Sequence, residues 1–248
     1  MPVRSATTTP VAGAPRRRCA PLLAALALLP LVTACPSFTT MGTARTLPAQ
    51  RGQLYVAPGY TVLRSFQRDA GTHEPLAIGL PSVEVGGRYG LTDDLELGAK
   101  AWFYGAELDA KIALIRPPLL GEGLSVSLAP GASFMEFSAG GSGTTHASYA
   151  WLHLPLLVGL PMPDGSELTI GPRLSDMILS SGGTVQNAVW VGGSLGYAWR
   201  LGAGMRILPE VTLAYPVAGT SVRTGTALDL KPRGAVSQIG LGLLFGGE

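Results

Sequence analysis

Few residues of this chain could do covalent or acid–base chemistry. It has three histidines, His73, His146 and His153, and two cysteines, Cys19 and Cys35. A nucleophilic serine needs a base to take its proton and an acid to orient that base. His146-Ala147-Ser148 supplies the first two, and Glu136 lies across the intervening loop as the third. His73, in Gly71-Thr72-His73-Glu74, reads as a solvated loop residue, and His153, sharing the parity of Trp151, as a filler in a polar interior. The histidines lack the i, i+4 spacing of a helical metal site, so neither metal nor cofactor is expected. Gly140-Gly141-Ser142-Gly143 precedes no lysine and opens no helix, so it is a loop tip rather than a phosphate cradle. Asp93-Asp94 reads as a solvated turn pair. An enzyme is therefore not the favoured reading.

The remaining reactive residue is Cys35. Arg16, Arg17 and Arg18 precede an apolar run from Ala20 to Leu31, which ends in Leu31-Val32-Thr33-Ala34-Cys35. A basic start, a short apolar stretch and small residues before a cut describe a secretory signal peptide. The last five residues resemble the lipobox of bacterial lipoproteins, in which the cysteine becomes the lipid-modified first residue of the mature protein. That resemblance implies a signal peptide over 1–34, acyl chains (palmitate among them) on Cys35, and a Gram-negative host. The apolar run is too short for a spanning helix, and Pro21 and Pro30 interrupt its edges. Cleavage would remove four arginines and no acid, turning a formal charge of +2 into about −2. The basic balance belongs to the signal, so no nucleic-acid partner is implied. Cys19 would leave with the signal, so no disulfide is expected.

The elements that would position these groups are strands. The chain has 34 glycines, only 14% charged residues and a positive mean hydropathy of +0.30. Disordered glycine-rich chains are polar, and soluble domains carry about 25% charge. From Leu95, the residues Leu97, Ala99, Ala101 and Phe103 take one face, and Glu96, Gly98, Lys100 and Trp102 take the other. This is the period of a strand. Ten such runs lie near 53–63, 78–91, 95–104, 106–115, 124–136, 148–160, 167–179, 188–200, 205–215 and 236–245. Residues 35–50 read as a lipidated flexible tether and 51–248 as the strand domain. Thr92-Asp93-Asp94, Pro163-Asp164-Gly165-Ser166 and Gly202-Ala203-Gly204 are tight turns, with Arg116 to Gly123 a longer member of the set. The intervening connections, 64–77, 137–147, 180–187 and 216–235, are longer and polar, apart from the close approach at Gly105.

Across about residues 53–245 this layout resembles small bacterial outer-membrane β-barrels. The resemblance implies an all-β, antiparallel up-and-down transmembrane barrel, about ten strands, with short turns in the periplasm and long loops outside. Both termini would then lie in the periplasm. A narrow lumen accounts for the polar face. It carries Glu84, Arg88, Glu96, Lys100, Glu107, Asp109, Lys111, Arg173, Arg206 and Glu210, separated by small residues such as Gly86, Gly98, Ser125, Ser127, Gly171, Gly192, Ser194 and Gly196. Aromatic girdles are read at the turn end (Tyr89, Tyr197, Trp199, Phe245) and at the loop end (Phe103, Tyr104, Phe134, Tyr149, Tyr215). The last run, Ile239 to Phe245, resembles the closing strand of such barrels, whose terminal aromatic helps the insertion machinery recognise them. It departs from that pattern because Gly246-Gly247-Glu248 follow. Pro58, Pro130, Pro155, Pro172 and Pro209 fall inside proposed strands and would delete ladder bonds, which keeps eight strands as an alternative.

The favoured function is structural or interactive: a lipid-anchored outer-membrane barrel with a side-chain-filled lumen, acting through its exterior loops. Its expected partners are outer-membrane lipid and the barrel insertion machinery. The second reading is a periplasmic lipoprotein with a soluble, lipocalin-like barrel around an apolar ligand, which requires the large apolar side chains to point inward. The third takes the His-x-Ser pair, which resembles that of outer-membrane lipid A deacylases, and implies a lipid A-modifying barrel enzyme.

Overall fold

In the computed structural model, residues 37–65, 77–117, 123–139, 145–181, 184–223, 226–229 and 234–247 are described. The period-2 segments form twelve strands: β1 (Gly52–Ser65), β2 (Ala77–Gly90), β3 (Leu95–Trp102), β4 (Gly105–Ile115), β5 (Ser125–Leu128), β6 (Gly131–Ala139), β7 (Thr145–Pro161), β8 (Glu167–Ser181), β9 (Thr184–Gly202), β10 (Met205–Arg223), β11 (Thr226–Asp229) and β12 (Gly234–Gly246). β5 and β6 both pair with β4 and β7, so they occupy one position in the wall. β11 pairs with β10 alone, as an extension of the last loop. The wall therefore has ten antiparallel positions. It closes where β1 meets β12, from Gln53 opposite Gly246 to Ser65 opposite Gly234.

The prolines explain the count. Proline lacks the N–H that a ladder needs. The β1–β12 ladder skips Ala57 and Pro58, while Pro58 keeps its place opposite Val83 of β2. The β9–β10 ladder skips Leu208 and Pro209, while Pro209 stays opposite Leu241 of β12. Pro155 and Pro172 flank one gap between β7 and β8. Each of these costs one side of one ladder and leaves the strand whole. Only Pro130 divides a strand, and both pieces keep their neighbours. The eight-strand alternative is thereby excluded.

The alternation resolves with apolar side chains outward. β3 alternates strictly, with Glu96, Gly98, Lys100 and Trp102 buried inside. Leu54 is 67% exposed and Leu108 69%, whereas Glu96 is 0% and Lys111 2% exposed. A soluble barrel around an apolar ligand needs the reverse polarity, so the lipocalin-like reading fails here. Outward aromatics lie toward both ends: Tyr89, Trp199 and Phe245 by the turns, and Phe103, Tyr104, Phe134 and Tyr215 by the loops. Tyr149 does not join them. It is buried in the lumen, stacked on Trp151, because both are odd positions of β7.

Candidate functional site

The lumen is filled by charge and by the chain itself. Residues 37–47, expected as part of a flexible tether, run extended through the barrel. Phe38 packs with Met135, Tyr149, Trp151 and Val236 toward the loop end. Met41 joins Tyr55, Ala57, Ala198, Leu208 and Leu244, and Ala44 joins Ala129 and Leu157. At the turn end, Gln50 N–H donates to the Gly90 carbonyl and Arg51 N–H to the Pro48 carbonyl. Gln50 takes φ +63°, and the chain reverses there into β1.

An extended segment away from water must satisfy both sides of its backbone. Here the wall does so with acidic, basic and amide side chains. Phe38 N–H donates to Gln238 Oε1 (2.6 Å). Thr40 and Met41 N–H donate to the two oxygens of Glu210 (2.7 and 2.8 Å). Ala44 N–H donates to Glu167 (2.6 Å) and Leu47 N–H to Glu96 (2.8 Å). In the other direction, Arg173 donates to the Phe38 carbonyl, Lys100 to that of Thr39, Arg88 to that of Thr40 and Lys111 to that of Thr43. The left-handed φ of +44° at Met41 lets two successive N–H groups converge on one carboxylate, the geometry of a backbone anion nest.

Among the described residues, six carboxylates and four side-chain cations are buried inside: Glu84, Glu96, Glu107, Asp109, Glu167 and Glu210 against Arg88, Lys100, Lys111 and Arg173. Arg88 bridges Glu96 (3.0 Å) and Asp109 (2.9 Å), and Lys111 adds to Glu96 (2.9 Å). Lys100 pairs with Glu107 (3.1 Å), which also meets His153 Nε2 (3.3 Å). Glu84, Glu167 and Glu210 are held by neutral donors. Glu84 accepts from Thr39 Oγ1 and Gln238 Nε2, and the other two accept from amides of the threaded segment. The segment thus supplies donors that the cation set lacks. A water-sized space remains between Thr40, Arg88, Glu107, Asp109, His153 and Arg173.

Glycine is needed where this packing is tightest. A Cβ on Gly240 would collide with Met41 Cε, one on Gly159 with Glu167, and one on Gly98 would sit 2.6 Å from Asp109 Oδ2. The lumen-facing glycines are the room in which side chains and segment converge.

Of the residues read from sequence, Glu84, Arg88, Glu96, Lys100, Asp109, Lys111, Arg173 and Glu210 come together in the lumen. Arg206 has the same parity but is half-buried near the turn end. Glu167 was not singled out from sequence, although it begins the 167–179 run on the parity of Arg173. Gln53 and Gln238, both buried, carried no charge to flag them. Glu136 is opposite Ser148 in the β6–β7 ladder, and His146 is opposite Ser138. Glu136 is exposed and Ser148 half-buried, on the outward parity. The side chain of His146 lies outside the described residues, as do Cys35, segment 1–34, His73 and the run 140–143.

At the turn end, Asp93 accepts from Ala49 N–H (3.0 Å) and pairs with Arg116 (3.3 Å). The Ala49 N–H first, and the guanidinium second, hold its carboxyl below the usual carboxylate range.

No protein-family model matches the chain, and no curated protein does. Among solved structures, it is similar to the outer membrane protease OmpT from Escherichia coli, with 9% identity, 81% of this chain and 98% of that one covered, and a TM-score of 0.47. It is also similar to the translocator domain of the autotransporter NalP from Neisseria meningitidis (11%, 78% and 88%, TM-score 0.38) and to the outer membrane protein OprG from Pseudomonas aeruginosa (11%, 81% and 99%, TM-score 0.36). These likenesses bring no activity, substrate or partner to this chain.

Proposed function

We propose that this chain is an outer-membrane β-barrel with a structural or interaction role, held in addition by a lipid on Cys35, and that it conducts nothing. One observation carries the reading: the large apolar side chains face outward, while the interior is closed by paired charges and by residues 37–47. Lipid is the environment that rewards such a surface. Outward aromatics near both strand ends support a band between two interfaces. Phe245, outward near the end of β12, supports recognition by the insertion machinery. Partners would meet the longer connections at the loop end.

The test uses a Cys35→Ser variant routed by an ordinary cleavable signal. Outer membranes are extracted at high pH, and the protein is run on gels boiled and unboiled. Retention in the membrane with faster migration unboiled is expected. A folded protein soluble in the periplasm would refute the spanning barrel. In planar bilayers the purified protein should give no steady conductance, and a stable open channel would refute the closed lumen.

A second reading is favoured by one register. Ser148 and Glu136 are directly opposite on the outward face near the loop end, where outer-leaflet lipid would lie, and His146 shares the parity of Ser148. This is the placement that a lipid A-modifying serine would need. Unchanged lipid A in cells carrying Ser148→Ala would remove it.

A further inference from the structure

We infer that the chain is threaded through its own barrel, so that its mature N-terminal end opens at the loop end, on the cell exterior, while its last strand ends at the opposite rim. The inference rests on the outer-membrane reading above and reverses the sequence expectation that both termini lie in the periplasm.

The order of contacts along the segment carries it. Phe38 meets Trp151, with ring centroids 4.7 Å apart and nearly perpendicular, in a cluster that includes Leu63, Leu179 and Val236. These three lie near the loop-end termini of β1, β8 and β12. Next come Thr40 and Met41 at Glu210, which is opposite Gly240 at the middle of β12, and then Ala44 at Glu167, the first residue of β8 at the turn end. Leu47 reaches Glu96, the second residue of β3, also at the turn end. Every step toward the C-terminus is a step toward the turns. The chain then reverses over Pro48–Arg51 and climbs back as β1.

Length agrees with a full crossing. The nine steps from Phe38 to Leu47 reach at most about 30 Å when extended. The apolar band of an outer-membrane barrel is about 25 Å tall. The contacts are main-chain and directional, with carboxylates on amides and cations on carbonyls, so the segment cannot be inverted without setting like groups against each other. Phe38 then plugs the mouth beneath the loops, and Ser37, held by Lys100 Nζ (2.9 Å), is the last described residue before the exit. A lipid on Cys35, two residues earlier in the chain, would consequently be presented to the outer leaflet and the exterior rather than to the periplasmic leaflet.

The test places one epitope in the full-length chain at three positions, in separate proteins expressed in cells: between Pro36 and Ser37, between Gly140 and Gly141, and after Glu248. Antibody binding is read on intact and on permeabilised cells. The first two epitopes should bind on intact cells with similar signal, and the third only after permeabilisation. If the Gly140 epitope binds on intact cells while the Pro36 epitope needs permeabilisation, the threading is wrong and the barrel reading stands. If the Gly140 epitope is hidden and the C-terminal one exposed, the orientation fails and the inference falls with it. A single substitution avoids disturbing the thread: Ala49→Cys, exposed at the turn end, should react with a membrane-impermeant maleimide only in permeabilised cells. Labelling of Ala49→Cys on intact cells would overturn the orientation, and the exterior placement of the N-terminal end with it.

Discussion

Glu210 is the residue at which the hold on the threaded segment can be measured. Its two oxygens take the amides of Thr40 and Met41, and it accepts a third bond from Thr212 Oγ1 (3.2 Å). Glu210→Ala leaves two buried N–H groups without an acceptor. Each costs about 1–3 kcal/mol, or about 2–6 kcal/mol for the pair. Part of this is returned, because the substitution also removes a buried carboxylate held by neutral donors. The lower part of the range, about 2–3 kcal/mol, is therefore expected. If that loss falls on the segment's own release, the released population rises about 30- to 150-fold, at about 1.4 kcal/mol per factor of ten. Arg45 sits within the segment and offers a tryptic bond that opens only on release. When opening is fast relative to cutting, the cleavage rate follows the open population. Purified protein in detergent, exposed to dilute trypsin and followed by mass spectrometry, should show cleavage after Arg45 accelerated by that factor. Glu136→Ala, outward and exposed, should change it less than twofold. Equal Arg45 cleavage in the wild type and in Glu210→Ala would refute the reasoning, since the carboxylate would then not be what holds the amides.

Three other perturbations test the lumen and its turn-end closure. Lys100→Met takes from Glu107 its lysine partner, leaving His153 in direct contact and the Arg173 charge nearby, and removes donors to Ser37 and Thr39, so urea unfolding followed by gel mobility should report a loss of about 3–5 kcal/mol. Adding Glu107→Leu should return part of that loss, and a double variant worse than the single one would contradict the pairing. Gly240→Val forces a branched side chain into the space of Met41, and should cost about 1–3 kcal/mol alone and less when combined with Met41→Ala; additivity of the two would mean that they do not touch. Asp93 is depressed in the fold, so its contribution to stability is complete above the unfolded carboxylate range and fades as pH falls through the folded midpoint. A carbon-detected titration should place that midpoint below an ordinary aspartate. Arg116→Gln should raise it only part of the way, because the Ala49 N–H remains.

Most of the wall was legible because a barrel writes itself in period two. Every one of the ten proposed runs falls on a position of the barrel wall, and parity within charged runs such as 95–104 and 106–115 set the lumen face. What failed was failure of the same rule where it has no purchase. Ser37-Phe38-Thr39-Thr40-Met41-Gly42-Thr43-Ala44 has no alternation, because its side chains meet wall residues all round and its backbone makes the directional contacts. Small and uncharged, it reads as a linker. Glu167 begins its run on the parity of Arg173 and was within reach of the same rule; next to a turn it was passed over, and its carboxyl accepts from Ala44 N–H in the lumen. Tyr149 was placed by distance from the strand end when parity with Trp151 already set it inside. The prolines argued against ten strands only if each were required to break both of its ladders.

The surplus of acid over base in the lumen was not legible: the polar face read from sequence balances five acids against five bases, and the excess appears only once Glu167 joins it and Arg206 lies half-buried at the rim; its meaning lies in the segment. With more carboxylates than cations buried, a closed barrel has to find donors or neutralise the excess by proton uptake. Amides are the donors that carry no counter-charge of their own, and a threaded backbone presents them at intervals along the axis. Four of the donor groups sit on side chains of the wall and answer carbonyls, while amides of the segment answer Glu96, Glu167 and Glu210. Wall and segment are then complementary halves of one polar network, and each is costly without the other. Gln238 of β12 holds the Phe38 amide and Gly240 of β12 closes on Met41, so the strand that completes the barrel also completes the grip on the thread.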